Sequence, residues 1–297
     1  MTGILTRLLC LLVCLSPLAC APTTTPSADP APPPDALRVA TLNVHYIRPS
    51  NPRGIASLPD WARRQVPLNT AFQSINADIF ALQEVGTFPC CSQNGANPSL
   101  DWLLSQNPAY SVAAHGPGEV FPQIQPILYR HDRVSLLDQG YFFFSRTPGT
   151  LGSPGYRAGS YPTFASWASF RHSGAVVHVV NVHLDVTSWD NRRASAALIG
   201  HAIAPWLDAG ERVMVIGDMN SFTQTRPVQT LARTLTVAPV RGATFHFYRG
   251  LHLYGAIDHL SYSDGVTPVS PPRVVRGRFA GGFPSDHYPV FMDVVLD

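Results

Sequence analysis

Lysine is missing from this chain: lysine and arginine together number 21, every one of them is Arg, and 19 acidic residues leave a net charge near +2. Arg grips phosphate bidentately. Yet the loss of all Lys, in a chain rich in Ala and Pro, points to a bias towards Arg codons rather than to a binding surface. Nor is there a dense basic run. Arg241, Arg249, Arg273, Arg276 and Arg278 are scattered over late loops, so the charge balance argues neither for nor against nucleic acid. The apolar run from Leu8 to Ala19 is too short to make a good membrane span. No internal repeat is present. Of five Cys, Cys10 and Cys14 lie in that run and Cys20 follows it, which leaves Cys90 and Cys91 side by side in a loop. With no other Cys available, that spacing argues against a thiolate metal cluster. The pair is either a vicinal disulfide or two free thiols.

With 297 residues and 45% hydrophobic content, the chain can bury one large core or two small ones. Arg7 followed by the apolar run reads as a secretory signal peptide over 1–19. Leu18-Ala19-Cys20 resembles the lipobox of bacterial lipoproteins. That resemblance implies cleavage before Cys20, lipid on its sulfur and membrane attachment through it. Pro17 stands where a Leu is usual, so an ordinary cleaved signal is the alternative. Residues 20–36, rich in Pro, Thr and Ala, have no apolar periodicity and read as a tether. The expected location is outside the cytoplasm of a bacterium, periplasmic or as a membrane-anchored lipoprotein, with secretion as the alternative.

From residue 37 to 297 the pattern predicts one domain of alternating strands and helices. Strands are predicted over Leu37 to Val44, Ile79 to Leu82, Ile124 to Arg130, Tyr141 to Phe144, Thr163 to Phe170, Val176 to Val182, Val213 to Ile216, Tyr254 to Tyr262 and Pro289 to Leu296. Helices are predicted over Asp60 to Ile75, with a break at Pro67, over Asp101 to Ser105, and over Trp189 to Leu207 with Ser188 as its cap. The stretches Gly149 to Pro162 and Pro268 to Gly282 read as loops.

Five polar motifs each follow an apolar run: Leu42-Asn43-Val44, Leu82-Gln83-Glu84-Val85, Asn181-Val182-His183-Leu184-Asp185, Gly217-Asp218-Met219-Asn220 and Ser285-Asp286-His287. Asp258, in Ala256-Ile257-Asp258-His259-Leu260, joins them. Asn, Glu, His and Asp placed where buried strands stop are held rigidly at a sheet edge. The inventory suits a hard divalent cation and a phosphate ester. Each motif alone also has a plain reading: Glu84 as an exposed strand-end acid, Asn43 as a turn former, Gly217-Asp218 as an ordinary turn. Their ordered conjunction favours the site.

In this order the motifs resemble the endonuclease/exonuclease/phosphatase superfamily. Pro126 to Arg133, Leu137 to Gly140 and Thr244-Phe245-His246 resemble a bacterial branch of it. The resemblance implies an α/β (α+β) four-layer sandwich, two packed mixed β-sheets flanked by helices. It implies a Mg²⁺- or Mn²⁺-dependent phosphoesterase, probed by these roles. Glu84, Asn43 and Asp286 serve the metal. Asp218 deprotonates the attacking water, Asn220 donates to a phosphoryl oxygen, and Asp258 orients a protonated His287. His183 contacts the phosphate, with Asn43 also on the substrate side, and either His183 or metal-bound water protonates the leaving group. Asp185 supports His183, and His246 and His259 are read as packing residues. The branch carries an Arg shortly before the Trp of the strand at Thr163-Phe164-Ala165-Ser166-Trp167. This chain has none there, which leaves Arg157, Arg249 or Arg278 to substitute.

The expected partner is a phosphate ester, whether a small molecule, a lipid headgroup or nucleic acid, acted on by a monomer. Two alternatives stand beside the phosphoesterase: a secreted non-specific nuclease of the same superfamily, and a catalytically silent tethered binding protein. The presence of Glu84, Asp218, Asn220, Asp258, Asp286 and His287 together weighs against the silent reading.

Overall fold

The computed structural model describes residues 30–87 and 97–297. The leader, Cys20 and the Cys90-Cys91 pair lie outside the described residues. The elements follow in chain order: β1 (Leu37–Asn43), α1 (Leu58–Ile75), β2 (Ile79–Gln83), α2 (Pro98–Gln106), β3 (Tyr110–Ala113), β4 (Ile127–Arg130), β5 (Ser135–Phe143), β6 (Phe164–His172), β7 (Ala175–His183), α3 (Trp189–Asp208), β8 (Arg212–Asp218), α4 (Arg226–Leu231), β9 (Thr236–Val237), β10 (Asp258–Tyr262), β11 (Val266–Pro268), β12 (Arg273–Val274) and β13 (Val290–Leu296).

They build two mixed sheets. One has seven strands in the order β11-β13-β1-β2-β4-β3, with β12 also on β13; the other has six in the order β5-β6-β7-β8-β10-β9. Alternation along each strand decides what lies between them, because successive side chains point to opposite faces. In β1, Val39 faces the space between the sheets while Ala40 and Leu42 face α1. In β8, Met214 and Ile216 face the same inter-sheet core while Val213 and Val215 face α3 and α4. Helix, sheet, sheet and helix therefore stack as four layers, as the resemblance implied. No helix among the described residues is long and apolar enough to cross a membrane.

A buried polar cluster ties the sheets together beneath their common edge. Gln83 Nε2 donates to Asn181 Oδ1 at 2.7 Å, and Asn181 Nδ2 donates to the Leu82 carbonyl at 2.8 Å. Gln125 Nε2 donates to the carbonyls of Asn181 and Phe164, and Ser166 Oγ donates to the Gln125 carbonyl. Buried amides are costly unless paired. Here each amide is placed by partners on the opposite sheet, so the cluster sets how the two sheets register.

The structure corrects several expected boundaries. The helix predicted from Asp60 with a break at Pro67 is continuous from Leu58 to Ile75. Ser57 Oγ accepts from Asp60 N and starts it earlier. Pro67 forfeits one helical N–H bond but is buried beside Gly282, and packing offsets that loss. The strand predicted from Tyr254 begins only at Asp258, and the strand predicted from Ile124 only at Ile127. The stretch predicted as loop from Pro268 contains β12, held by β13. The pattern overlooked β3, α4 and β9, of four, six and two residues, which are too short to display a period.

Candidate active site

The polar motifs meet along one edge of both sheets, and strand direction explains why. β1 and β2 are parallel, as are β7 and β8, and all four stop at this edge. β13 is antiparallel to β1 and β10 antiparallel to β8, so both begin there. Asn43, Glu84, His183 and Asp218 therefore leave C-terminal strand ends. Asp258 opens β10 directly opposite Asp218, and His287 precedes β13.

Three hydroxyls fix the segments relative to one another. Ser285 Oγ donates to the Asn43 carbonyl at 2.5 Å and accepts from His287 N at 3.1 Å. This joins the loop before β13 to the end of β1. Thr244 Oγ1 accepts from the N–H groups of Ile257 and Asp258, while the Thr244 carbonyl accepts from Tyr288 N. The strand start carrying Asp258 and the turn carrying His287 are thereby held side by side. Ser188 Oγ accepts from Asn191 N as the cap of α3, as its sequence implied.

At the centre, His287 Nδ1–H donates to Asp258 Oδ2 at 2.9 Å, and His287 Nε2 faces Asp218 Oδ2 at 3.7 Å. Asn43 Nδ2 bridges two carboxylates, 2.9 Å from Glu84 Oε1 and 3.1 Å from Asp218 Oδ2. His183 Nε2 stands 3.6 Å from each of the same two oxygens. Asn220 N donates to Asp218 Oδ1, and Asn220 Nδ2 gives one hydrogen to the Leu184 carbonyl. Glu84, Asn220 and His45 all hold positive φ, at 58°, 45° and 62°. Non-glycine residues adopt such angles at a cost and cluster where a side chain must be aimed.

The electrostatics separate two buried acid–base groups. Burial by itself would push the His287 imidazole down, but the Asp258 and Asp218 carboxylates outweigh it and hold His287 up at about 10. His287 is thus an imidazolium at neutral pH, oriented by Asp258. Burial pushes the Asp218 carboxyl up, and the neighbouring Asp258 adds to that; His287 and His183 pull the other way. Asp185 lines the same cleft, with its carboxylate bonded to the turn that follows it. Burial opposes its charge, yet hydrogen bonds from Asn191, Ser188 and Thr187 hold its carboxyl below the ordinary value. Those bonds tie its carboxylate to the turn after His183 and to the start of α3.

A cation fits part of this cleft and not all of it. Ligand atoms of Asp218, Asp258 and His287 lie within 4.8 Å of one another. With His287 charged, its ring has no lone pair to offer a cation, and its two N–H groups face carboxylates instead. Glu84, Asn43 and Asp286 line the open cleft. Asn43 turns its amide nitrogen to Glu84 and its oxygen to His45 N, and the two carboxylates are oxygen donors of the kind Mg²⁺ or Mn²⁺ prefers. Glu84, Asp218 and Asp286 also face only one arginine in the cleft lining, Arg48. A phosphate would meet net negative charge there unless a cation joined it.

All the residues singled out as catalytic, substrate-binding or metal-binding come to this one edge. The candidate arginines do not. Arg157 and Arg278 are absent from the cleft lining, Arg278 lies over the Phe283 ring instead, and Arg249 lines an adjoining cleft. The arginine that does line the cleft is Arg48. Sequence reasoning also overlooked His45, whose Nδ1 lies 2.5 Å from Tyr248 Oη, and Tyr46, whose N–H donates to Glu84 Oε2. Both follow Asn43 closely, and that adjacency was the available signal.

His246 and His259 are packing residues. His246 stacks on Tyr288 at 3.9 Å, and burial lowers its imidazole to about 4. His259 Nε2–H donates to the Ser221 carbonyl at 2.8 Å, and burial lowers its imidazole below 6.5. The unfolded chain therefore takes up a proton below pH 6.5 that folded His259 refuses. Stability contributed by this residue is complete above pH 6.5 and is lost as the pH falls through the lower folded value. Urea melts between pH 7.5 and 5 are expected to show this decline, and His259→Gln, which keeps the donor, is expected to make it shallower. An unchanged slope in the variant would assign the decline to other groups.

Comparison with known proteins bears on the fold. No family model and no curated protein matches the sequence. Solved structures do. An endonuclease/exonuclease/phosphatase from Bacteroides vulgatus superposes with a TM-score of 0.74 at 24% identity, over 88% of this chain and 99% of that one. A family protein of the same description from Bacteroides thetaiotaomicron gives 0.72 at 22%, over 88% and 98%. A mannosyl-6-phosphatase from Bacteroides thetaiotaomicron gives 0.72 at 21%, over 88% and 100%. This chain has the endonuclease/exonuclease/phosphatase fold.

Proposed function

We propose that this chain is a divalent-cation-dependent phosphoesterase. The observation that carries the reading is the opposition of a buried carboxylate, Asp218, to a buried imidazolium, His287, across 3.7 Å at the cleft floor. A general base and a hydrogen-bond donor for developing charge are then both prepaid in position. A phosphatase among the structural neighbours supports it.

Glu84, Asn43 and Asp286 would hold the cation, which when bound polarises a phosphoryl oxygen and offsets the phosphate charge. Asp218 accepts the proton of a water that attacks phosphorus in line; its raised affinity for a proton suits that task. His287 Nε2–H and the free hydrogen of the Asn220 amide donate to the equatorial oxygens as charge builds on them. As the bond from phosphorus to the alcohol oxygen breaks, His183 supplies the proton that the leaving oxygen needs. The Asp258 carboxylate accepts from His287 Nδ1–H and keeps that ring charged and aimed. Export and lipid attachment at Cys20 belong to the same proposal, and would place the activity outside the cytoplasm.

The test is hydrolysis of p-nitrophenyl phosphate and bis-p-nitrophenyl phosphate with Mg²⁺, Mn²⁺ or EDTA, beside calorimetric titration of each ion. Turnover is expected to vanish in EDTA and return with Mg²⁺ or Mn²⁺. In Glu84→Gln, ion affinity and turnover are expected to fall together, by about tenfold or more. Full turnover in EDTA would sink the cation requirement, and a folded, ion-binding chain inert towards every ester would sink the hydrolase.

A further inference from the structure

The walls of the cleft have a different chemistry from its floor. The cleft encloses about 580 Å³. From the His287 ring an unbroken series of aromatic contacts runs outward: Phe245 at 5.0 Å, then Phe247 at 4.3 Å, Tyr254 at 6.1 Å and Phe222 at 6.2 Å. Towards the mouth, Val186 is 71% exposed and Tyr254 56%. Of twelve large apolar side chains exposed on the described surface, six line this cleft or the one that adjoins it through Phe245 and Asp286. Scattered exposed apolar residues need no explanation, but a concentration at one concave site marks binding.

We infer that the substrate is a phosphate ester of an apolar alcohol, whose alkyl or aryl group lies along the Phe245–Tyr254–Phe222 wall while its phosphate reaches the floor. The inference rests on the phosphoesterase reading and narrows it. Charge supports the choice. Arg48 in this cleft and Arg249 in the adjoining one do not make the basic track that a nucleic-acid backbone requires. A sugar would bring several hydroxyls to a wall built largely of rings, where most would lose water without a partner. An apolar group loses nothing there and gains with each methylene covered. One chemistry, two sources: a soluble amphiphilic ester, or a lipid headgroup ester at a bilayer surface.

The experiment compares butyl, hexyl and octyl phosphate with mannose 6-phosphate, all esters of primary alcohols, so that leaving-group chemistry stays nearly constant. With Mg²⁺ present, kcat/KM on the full chain is expected to rise about fourfold per added methylene until the wall is filled. In parallel, calorimetry with the non-hydrolysable butyl, hexyl and octyl phosphonates is expected to give dissociation constants that fall in the same proportion. Phe222→Ala and Tyr254→Ala, checked for folding by thermal melts, are expected to flatten both dependences. Octyl phosphate in solution and phosphatidic acid in phosphatidylcholine vesicles tell the two sources apart, and turnover of either supports the pocket. Preference for mannose 6-phosphate, or a dependence on chain length that is flat in both assays, overturns the inference and leaves the phosphoesterase standing. Chain-length-dependent binding of phosphonates without turnover of any ester would keep the apolar pocket and sink the hydrolase.

Discussion

Asp218→Asn is expected to lower kcat for phosphate-ester hydrolysis about 10³-fold while changing KM far less, because a positioned general base contributes roughly 10²- to 10⁴-fold. The amide is nearly the same size and still offers Oδ1 to the Asn220 N–H, but it cannot take a proton. Stability is expected to move little or upwards. Asp218 is buried beside the second carboxylate of Asp258, and burial and that neighbour both oppose its charge. Neutralising it relieves both, against a poorer contact with Asn43 Nδ2. Steady-state kinetics and a thermal melt on the same preparation check the pair of expectations. Retention of more than about a tenth of wild-type kcat would remove Asp218 from the role of base. A midpoint lowered by more than about 10 °C would assign the loss to folding instead.

Gly217→Ala is expected to be the more damaging change to the fold. Gly217 sits next to Asp218 in β8, at φ +139°, where L side chains are strained. An added Cβ would lie 2.1 Å from the Val182 carbonyl oxygen, which is backbone of β7 and cannot rotate aside. The parallel β7–β8 pair must separate, at the point where it delivers His183 opposite Asp218. Strain of about 1–3 kcal/mol and overpacking of similar size together predict a loss of about 4 kcal/mol. For a domain of this size that is a fall in melting midpoint of roughly 10 °C, with turnover lost as the two side chains part. A melt within about 3 °C of wild type would show that the strands give way cheaply. The glycine of the Gly217-Asp218-Met219-Asn220 motif thus has a steric reason as concrete as the chemical reason for its Asp.

The local elements and the membership of the site were legible in the chain because they depend on near neighbours. Apolar runs marked β1, β2, β7 and β8, and each ended in the polar group that the site uses. Short pieces such as β9 and α4 carry too few residues to show a period, and Pro67 deceived because its burial is a matter of what packs against α1. The inter-sheet cluster of Gln83, Gln125 and Asn181 was hidden for a related reason: an amide reads as surface until its partner on the other sheet is known.

Residue order and spacing settle which side chains can stand at strand ends, since a strand's direction and its period of two are properties of the local backbone. They do not settle what faces what across the molecule. The pairing of Asp258 with His287, the 3.7 Å approach of His287 to Asp218, the place of Arg48 in the cleft lining and the aromatic wall all join segments far apart in the chain. Those relations exist only after two sheets pack face to face, because distance in space, and with it charge coupling and burial, is set by packing and is not encoded in separation along the chain.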